Sequence, residues 1–111
     1  MALKNLKYRF GTSAGGPNLE EGLAWLAEND FHYTDFNADH SANVLSSWTD
    51  ERVKAVRALC DKHDIHLGIH TLSAVNISDF SPYMSEAVDA YLAANIDLGK
   101  RLGVQRVIVH A

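Results

Sequence analysis

The chain has 111 residues, of which 47% are hydrophobic and 22% charged, a composition typical of one globular domain and not of a disordered segment. Its net charge of −4, without any run of lysines or arginines, argues against nucleic-acid binding. No apolar stretch is long enough for a membrane span or a signal peptide, and the single cysteine excludes an internal disulfide, so we expect a cytoplasmic protein without a membrane partner.

The N-terminal half of the sequence alternates predicted strands and helices. Residues 8–13 (YRFGTS) are typical of a first strand. Asn18 then begins a helix over residues 18–29, because Glu21 takes the capping-box position and leucines follow at helical spacing. Residues 31–37 (FHYTDFN), rich in aromatic residues and threonine, predict the second strand.

The C-terminal half continues the alternation. A loop precedes a second helix that begins near Asp50, and residues 66–71 (HLGIHT) predict the third strand. Ser81-Pro82 places a capping residue and a proline at the start of a long third helix that ends at about Leu102. Residues 106–110 (RVIVH) are almost continuously apolar, as expected of a fourth strand that is buried on both faces.

The order β-α-β-α-β-α-β predicts a parallel sheet joined by crossover helices. Two architectures fit this order: a small doubly wound open sheet, or half of an eight-stranded (β/α) TIM barrel. We favour the half barrel, with four parallel strands and three helices in a single domain over residues 1–111, because the sequence ends on a strand without a covering helix. A flavodoxin-like binding module is disfavoured because no glycine-rich phosphate loop opens the first helix.

Two histidines lie at the carboxyl ends of neighbouring predicted strands, His70 on the third and His110 on the fourth. Ligands of parallel α/β folds gather at this edge, where adjacent strands are about 5 Å apart. The two imidazoles are therefore candidates to bind one metal ion or two neighbouring ions. The alternative is that each histidine is a hydrogen-bonded residue at the rim of the sheet.

The last 44 residues carry a family resemblance. A strand ends at His70, the next loop contains Asn76, a long helix ends with Leu102-Gly103, and residues 107–110 (VIVH) form the last strand. These features resemble the third and fourth βα units of the xylose-isomerase-like TIM-barrel superfamily, which includes sugar and sugar-phosphate isomerases and epimerases and the apurinic-site endonuclease. The resemblance implies that His70 and His110 bind zinc, manganese or magnesium, and that the substrate is a small sugar-like molecule.

Polar residues near the second predicted strand are candidates for substrate binding. The family often places a carboxylate at this strand end, so Asp35 or Asn37 is expected to hydrogen-bond a substrate hydroxyl, and the resemblance adds Asn76. His40 is a further candidate, from the following loop. The alternative for this region is a polar loop of turn-forming residues, which is the interpretation that we prefer for Asp39.

The resemblance also implies that part of the site lies elsewhere. In the family, further metal ligands and the proton-transferring carboxylates come from later strands, which would follow Ala111. We therefore expect the chain to be inactive or incomplete as an isomerase or epimerase. An alternative relative, an apurinic-site endonuclease, is disfavoured by the acidic charge.

A non-catalytic half barrel with vestigial metal binding is the remaining alternative. The inner face of four barrel strands normally packs against the other four strands, so half a barrel would expose apolar surface and two open strand edges. We therefore expect self-association, as a homodimer or a larger assembly that completes the barrel or exchanges elements.

Overall fold

The computed structural model describes residues 3–8, 10–13, 17–39 and 41–111. Within these ranges three α-helices and three strands alternate: α1 Leu19–Glu28, β1 Tyr33–Phe36, α2 Asp50–His63, β2 His66–His70, α3 Pro82–Leu102 and β3 Arg106–Ile108. Three short 3-10 helices complete the regular structure of these ranges: Leu3–Tyr8, Ser41–Asn43 and Leu45–Ser47. None of the helices described is both long enough and apolar enough to cross a membrane.

The strands form one parallel sheet in the order β1-β2-β3. Its register pairs Asp35 of β1 with Gly68 of β2, and Gly68 with Arg106 of β3. The three predicted helices are present, and so are the second, third and fourth predicted strands, each shortened at one or both ends. All three carboxyl ends therefore lie at one edge of the sheet, as the sequence predicted for its last three strands.

The prediction of four strands in a half barrel is wrong, because the first predicted strand does not form in the described part of residues 8–13. Tyr8 belongs to the 3-10 helix Leu3–Tyr8, and residues 10–13 pair with no strand. The Thr34 hydroxyl donates to the Thr12 carbonyl at 2.6 Å, so a side chain takes the place of a ladder bond. The result is a small three-stranded α/β domain.

The helices begin and end where local chemistry predicts. The Asn18 side chain caps α1 by accepting a hydrogen bond from the Glu21 amide at 2.8 Å. The Thr49 hydroxyl does the same for α2, accepting from the Arg52 amide at 3.2 Å. Helix α3 ends at Gly103, whose φ of 69° lies in the left-handed region that favours glycine.

The hydrophobic core lies between one face of the sheet and the three helices. Phe36 of β1 and Leu67 and Ile69 of β2 point into this core and are almost completely buried. Leucines of α1 and valines of α2 pack against them from the helical side. Alternation along each strand leaves the intervening residues on the opposite face.

That opposite face, called the polar face below, is lined mainly by polar side chains. A Cβ atom added to Gly68 would be surrounded by the side chains of Tyr33, Asp35 and Arg106, so these three share its face. By strand alternation the same face also carries His66, His70 and Ile108. The exposed apolar face that we expected of a half barrel is therefore not found in the described sheet, while self-association itself stays a prediction.

Candidate metal centre

His70 and His110, the predicted metal ligands, meet at the carboxyl edge of the sheet. Their Nε2 atoms are 3.1 Å apart, and their rings stack with centroids 5.1 Å apart and 22° between the planes. Two nitrogen ligands of one tetrahedral zinc ion are separated by about 3.4 Å, given Zn–N bonds of about 2.0–2.1 Å. The two Nε2 atoms therefore have nearly the spacing that a shared ion requires.

Backbone bonds hold the two histidine-bearing segments together. Thr71, which follows β2 and is buried, donates to the Ile108 carbonyl from its amide at 3.0 Å and from its hydroxyl at 2.8 Å. Beyond β3, the His110 carbonyl accepts from the Ile77 amide at 3.1 Å, and Asn76 forms an isolated parallel bridge with His110. The loop after β2 is thus hydrogen-bonded to the segment after β3 that carries His110.

Asp35 lies on the other side of the His70 ring. Its Oδ2 atom is 3.4 Å from Nδ1 of His70. This distance exceeds that of a strong hydrogen bond, but a carboxylate so close favours the tautomer with its proton on Nδ1. In that tautomer the lone pair of Nε2 is directed towards His110, as a metal ligand requires. The His70 side chain is 42% exposed, so the ring is accessible from solvent.

Asn37, a predicted substrate-binding residue, supports the end of β2. Its Nδ2 donates to the His70 carbonyl at 3.1 Å, and its Oδ1 accepts from the Asp39 amide at 2.8 Å in a turn. The Asp39 carboxylate in turn accepts from the Tyr91 hydroxyl at 2.7 Å, which itself accepts from the Leu72 amide at 3.0 Å. These bonds fix the backbone beneath the histidine pair.

Of the remaining predicted site residues, Asn76 also lies at this edge. Asn76 is next to His110, but its Oδ1 accepts from the Ser78 amide at 2.8 Å and closes a turn. His40 lies outside the described residues. The structure therefore brings together Asp35 and the two histidines by their side chains, and brings Asn76 to their side through its backbone.

Two side chains of the described residues, those of His70 and His110, are candidates for the ligand set. Among the described residues, no group of three histidine, cysteine, aspartate or glutamate side chains is placed to hold one metal ion. The geometry of His70 and His110 fits two ligands, and the other coordination positions would be taken by water, a substrate or groups from elsewhere. Catalytic zinc sites keep such an open position.

Sequence reasoning missed Tyr33 and Arg106, which lie on the polar face near Asp35. The guanidinium carbon of Arg106 is 4.9 Å from the centroid of the Tyr33 ring. The Tyr33 hydroxyl is buried and has no hydrogen-bond partner among the described residues. Burial raises the pKa of Tyr33, Arg106 opposes that shift and Asp35 adds to it. The sequence did contain a signal for Tyr33: it lies two residues before Asp35 on the same strand, and side chains two residues apart in a strand share a face.

The resemblance of this chain to known proteins rests on its own motifs. It matches no protein-family model, and no curated protein is significantly similar to it. The resemblance to the xylose-isomerase-like superfamily therefore stays a prediction, as do the isomerase or epimerase activity and the zinc, manganese or magnesium that it implies.

Proposed function

We propose that this chain binds a divalent metal ion between His70 and His110, and that Asp35 orients His70 for this role. The observation that carries the proposal is the 3.1 Å separation of two Nε2 atoms from neighbouring strand ends. The competing explanation is a metal-free pair in which one Nε2–H donates a hydrogen bond to the other ring. Because both explanations need the same contact, metal titration is the measurement that separates them.

The reaction class that we propose is isomerisation or epimerisation of a sugar or sugar phosphate, supported by the family resemblance together with this ligand pair. In such reactions a divalent metal supplies Lewis-acid polarisation of a carbonyl and its neighbouring hydroxyl. Asp35, 3.4 Å from His70, serves to hold the imidazole tautomer. Because that role occupies Asp35, and the resemblance places the proton-transferring carboxylates on later strands, we expect this chain to bind metal and substrate without turning substrate over by itself.

Cobalt(II) titration followed by visible absorption tests the metal site, since cobalt gives coloured complexes with zinc-type ligands. The wild-type chain should bind cobalt(II) saturably, and His70→Ala and His110→Ala should each lose this binding. His63→Ala is the matched control, because it removes an imidazole from the end of α2, beyond the opposite end of β2. If cobalt(II) binding persists in His70→Ala and in His110→Ala, or is absent from the wild type, the contact between the two histidines is a hydrogen bond and not a metal site.

A non-catalytic, self-associating protein is the second candidate, and a group of exposed apolar side chains favours it. Phe80, two residues before α3, is 97% exposed, and Tyr83 and Met84 in the first turn of α3 are 86% and 52% exposed. Large aromatic side chains in such a group are typical of interaction surfaces. Sedimentation velocity should show a dimer or larger species that dissociates in the double variant Phe80→Ser, Tyr83→Ser. A wild-type chain that is monomeric at micromolar concentration would exclude this candidate.

A further inference from the structure

Gly68 lies at the centre of a small cluster on the polar face. Asp35, Gly68 and Arg106 are side by side on β1, β2 and β3. Tyr33, two residues before Asp35, extends its hydroxyl over the middle strand. A Cβ atom on Gly68 would be 2.5 Å from that hydroxyl oxygen and 3.3 Å from Cγ of Arg106. The missing side chain at Gly68 therefore provides the space in which Tyr33 and Arg106 come together.

Two side chains of this cluster, the exposed Arg106 and the buried hydroxyl of Tyr33, have no hydrogen-bond acceptor among the described residues. Among the described residues the Tyr33 hydroxyl is buried without a partner, and the Arg106 guanidinium is engaged only by stacking over the Tyr33 ring at 4.9 Å. A buried hydroxyl without a partner is costly. An arginine held over an aromatic ring keeps its planar fork of N–H donors available. These donors therefore need a hydrogen-bond acceptor, and a bound ligand can supply it.

We propose that Tyr33 and Arg106 bind an oxyanion, the phosphate or carboxylate group of a small-molecule ligand. The guanidinium fork matches the paired oxygens of either group, and the tyrosine hydroxyl adds a third donor once a shift of the exposed Arg106 side chain opens it to the ligand. Burial raises the pKa of Tyr33, so its hydroxyl keeps its proton at neutral pH. Asp35, whose negative charge would repel an oxyanion, borders the same space, with its Cβ 3.4 Å from a Cβ added to Gly68, but its Oδ2 faces His70 at 3.4 Å.

The position of this oxyanion site relates it to the histidine pair. Gly68 precedes His70 by two residues on β2, a distance of about 7 Å along a strand. A ligand anchored at Arg106 would place its other end beside His70 on the same face of the sheet. This part of the inference rests on the proposed metal site, and it identifies the substrate as a sugar phosphate or sugar acid and not a neutral sugar. Oxyanion binding itself needs no metal.

Titration of the metal-free chain with inorganic phosphate, followed by ¹H–¹⁵N NMR, tests the oxyanion site. We expect saturable shifts of the Gly68 amide and the Arg106 Nε–H signals. Arg106→Gln should weaken phosphate binding about tenfold or more, because it removes charge-assisted bonds, and Tyr33→Phe should weaken it roughly fivefold. Lys54→Gln removes the same charge from an exposed position on α2 and should leave the affinity unchanged.

The outcomes separate the oxyanion site from the metal site. Absence of saturable shifts, or equal weakening by Arg106→Gln and Lys54→Gln, would overturn the oxyanion proposal whatever the result with cobalt. A parallel titration with acetate assigns the site to carboxylates if acetate binds more tightly than phosphate, and to phosphates if it binds less tightly. Zinc should tighten binding of a sugar phosphate to the wild type and not to His70→Ala. Phosphate binding without this zinc effect would support the oxyanion site and contradict the substrate assignment.

Discussion

The Oδ2 atom of Asp35 lies 3.4 Å from Nδ1 of His70, while Nε2 of the same ring faces His110. Loss of a carboxylate in this position typically lowers metal affinity about 10- to 100-fold. We therefore expect Asp35→Asn to weaken cobalt(II) binding about tenfold without abolishing it, because both Nε2 ligands remain. The same absorption titration measures the change. Asp97→Asn, on an exposed position of α3, is the control, and an equal loss there would indicate a general charge effect.

Gly68→Ala tests the close approach of Tyr33 to the middle strand. The new methyl group would be 2.5 Å from the Tyr33 hydroxyl oxygen, so we expect a loss of about 1–3 kcal/mol in the free energy of unfolding. In a Tyr33→Phe background the same substitution should cost less, since the nearest clashing atom is gone. Urea unfolding of the four proteins in this double-mutant cycle measures the coupling. If Gly68→Ala lowers the free energy of unfolding equally in the wild type and in Tyr33→Phe, the contact with Arg106, at 3.3 Å, causes the loss.

The helices and the last three strands could be predicted because their signals are local. The Asn18 cap, the Ser81-Pro82 start and the apolar run after Arg106 depend on neighbours within a few residues. The first predicted strand has a suitable composition, yet strand formation there requires a ladder with β1. Instead, the Thr34 hydroxyl donates to the Thr12 carbonyl. Amino-acid composition does not show whether a side-chain donor or a backbone donor will bond that carbonyl.

The candidate site divides in the same way. His70 and His110 could be predicted because each stands near the carboxyl end of a strand, and parallel pairing brings such ends to one edge. Tyr33 and Arg106 stand near the beginnings of their strands, where a tyrosine is usually a packing residue and an arginine a solvated one. Only the register through Gly68 shows that they share a face, and register is a tertiary property.

Arg52 joins α1, the loop after β1 and α2. Its Nε and Nη2 atoms donate to the Glu20 carboxylate at 2.7 and 2.9 Å, its Nη1 donates to the Ala42 carbonyl at 2.6 Å, and its guanidinium lies 4.0 Å from the Trp48 ring centroid. Lysine cannot reproduce this fork. Arg52→Lys should therefore lower the free energy of unfolding by about 2 kcal/mol. Arg57→Lys is the comparison, because the exposed Arg57 donates a single hydrogen bond in the described structure, from Nη1 to the Arg101 carbonyl at 3.1 Å; it should change the free energy of unfolding by less than about 1 kcal/mol. Urea unfolding compares the two variants, and equal effects would contradict the role given to the fork.

Asp64 anchors the N-terminal 3-10 helix and should make stability depend on pH in acid. Its Oδ2 accepts from the Tyr8 hydroxyl at 2.6 Å and from the Lys7 ammonium at 2.9 Å. These bonds, that of Tyr8 first, lower the pKa of Asp64 from its usual 3.8 to about 2. Because the pKa is lower in the folded state, the stabilisation is fully present above the unfolded value and is lost as the pH falls through the folded one.

Asp64→Asn is the matched variant, since asparagine also tolerates the left-handed φ of 54° at this position. We expect the urea midpoint of Asp64→Asn to lie below that of the wild type from neutral pH down to about pH 4, and the difference to shrink as the pH approaches about 2. Tyr8→Phe removes the largest cause of the shift and should reproduce part of the neutral-pH loss. A midpoint difference that stays constant down to pH 2 would mean that the carboxylate charge is not what holds the 3-10 helix.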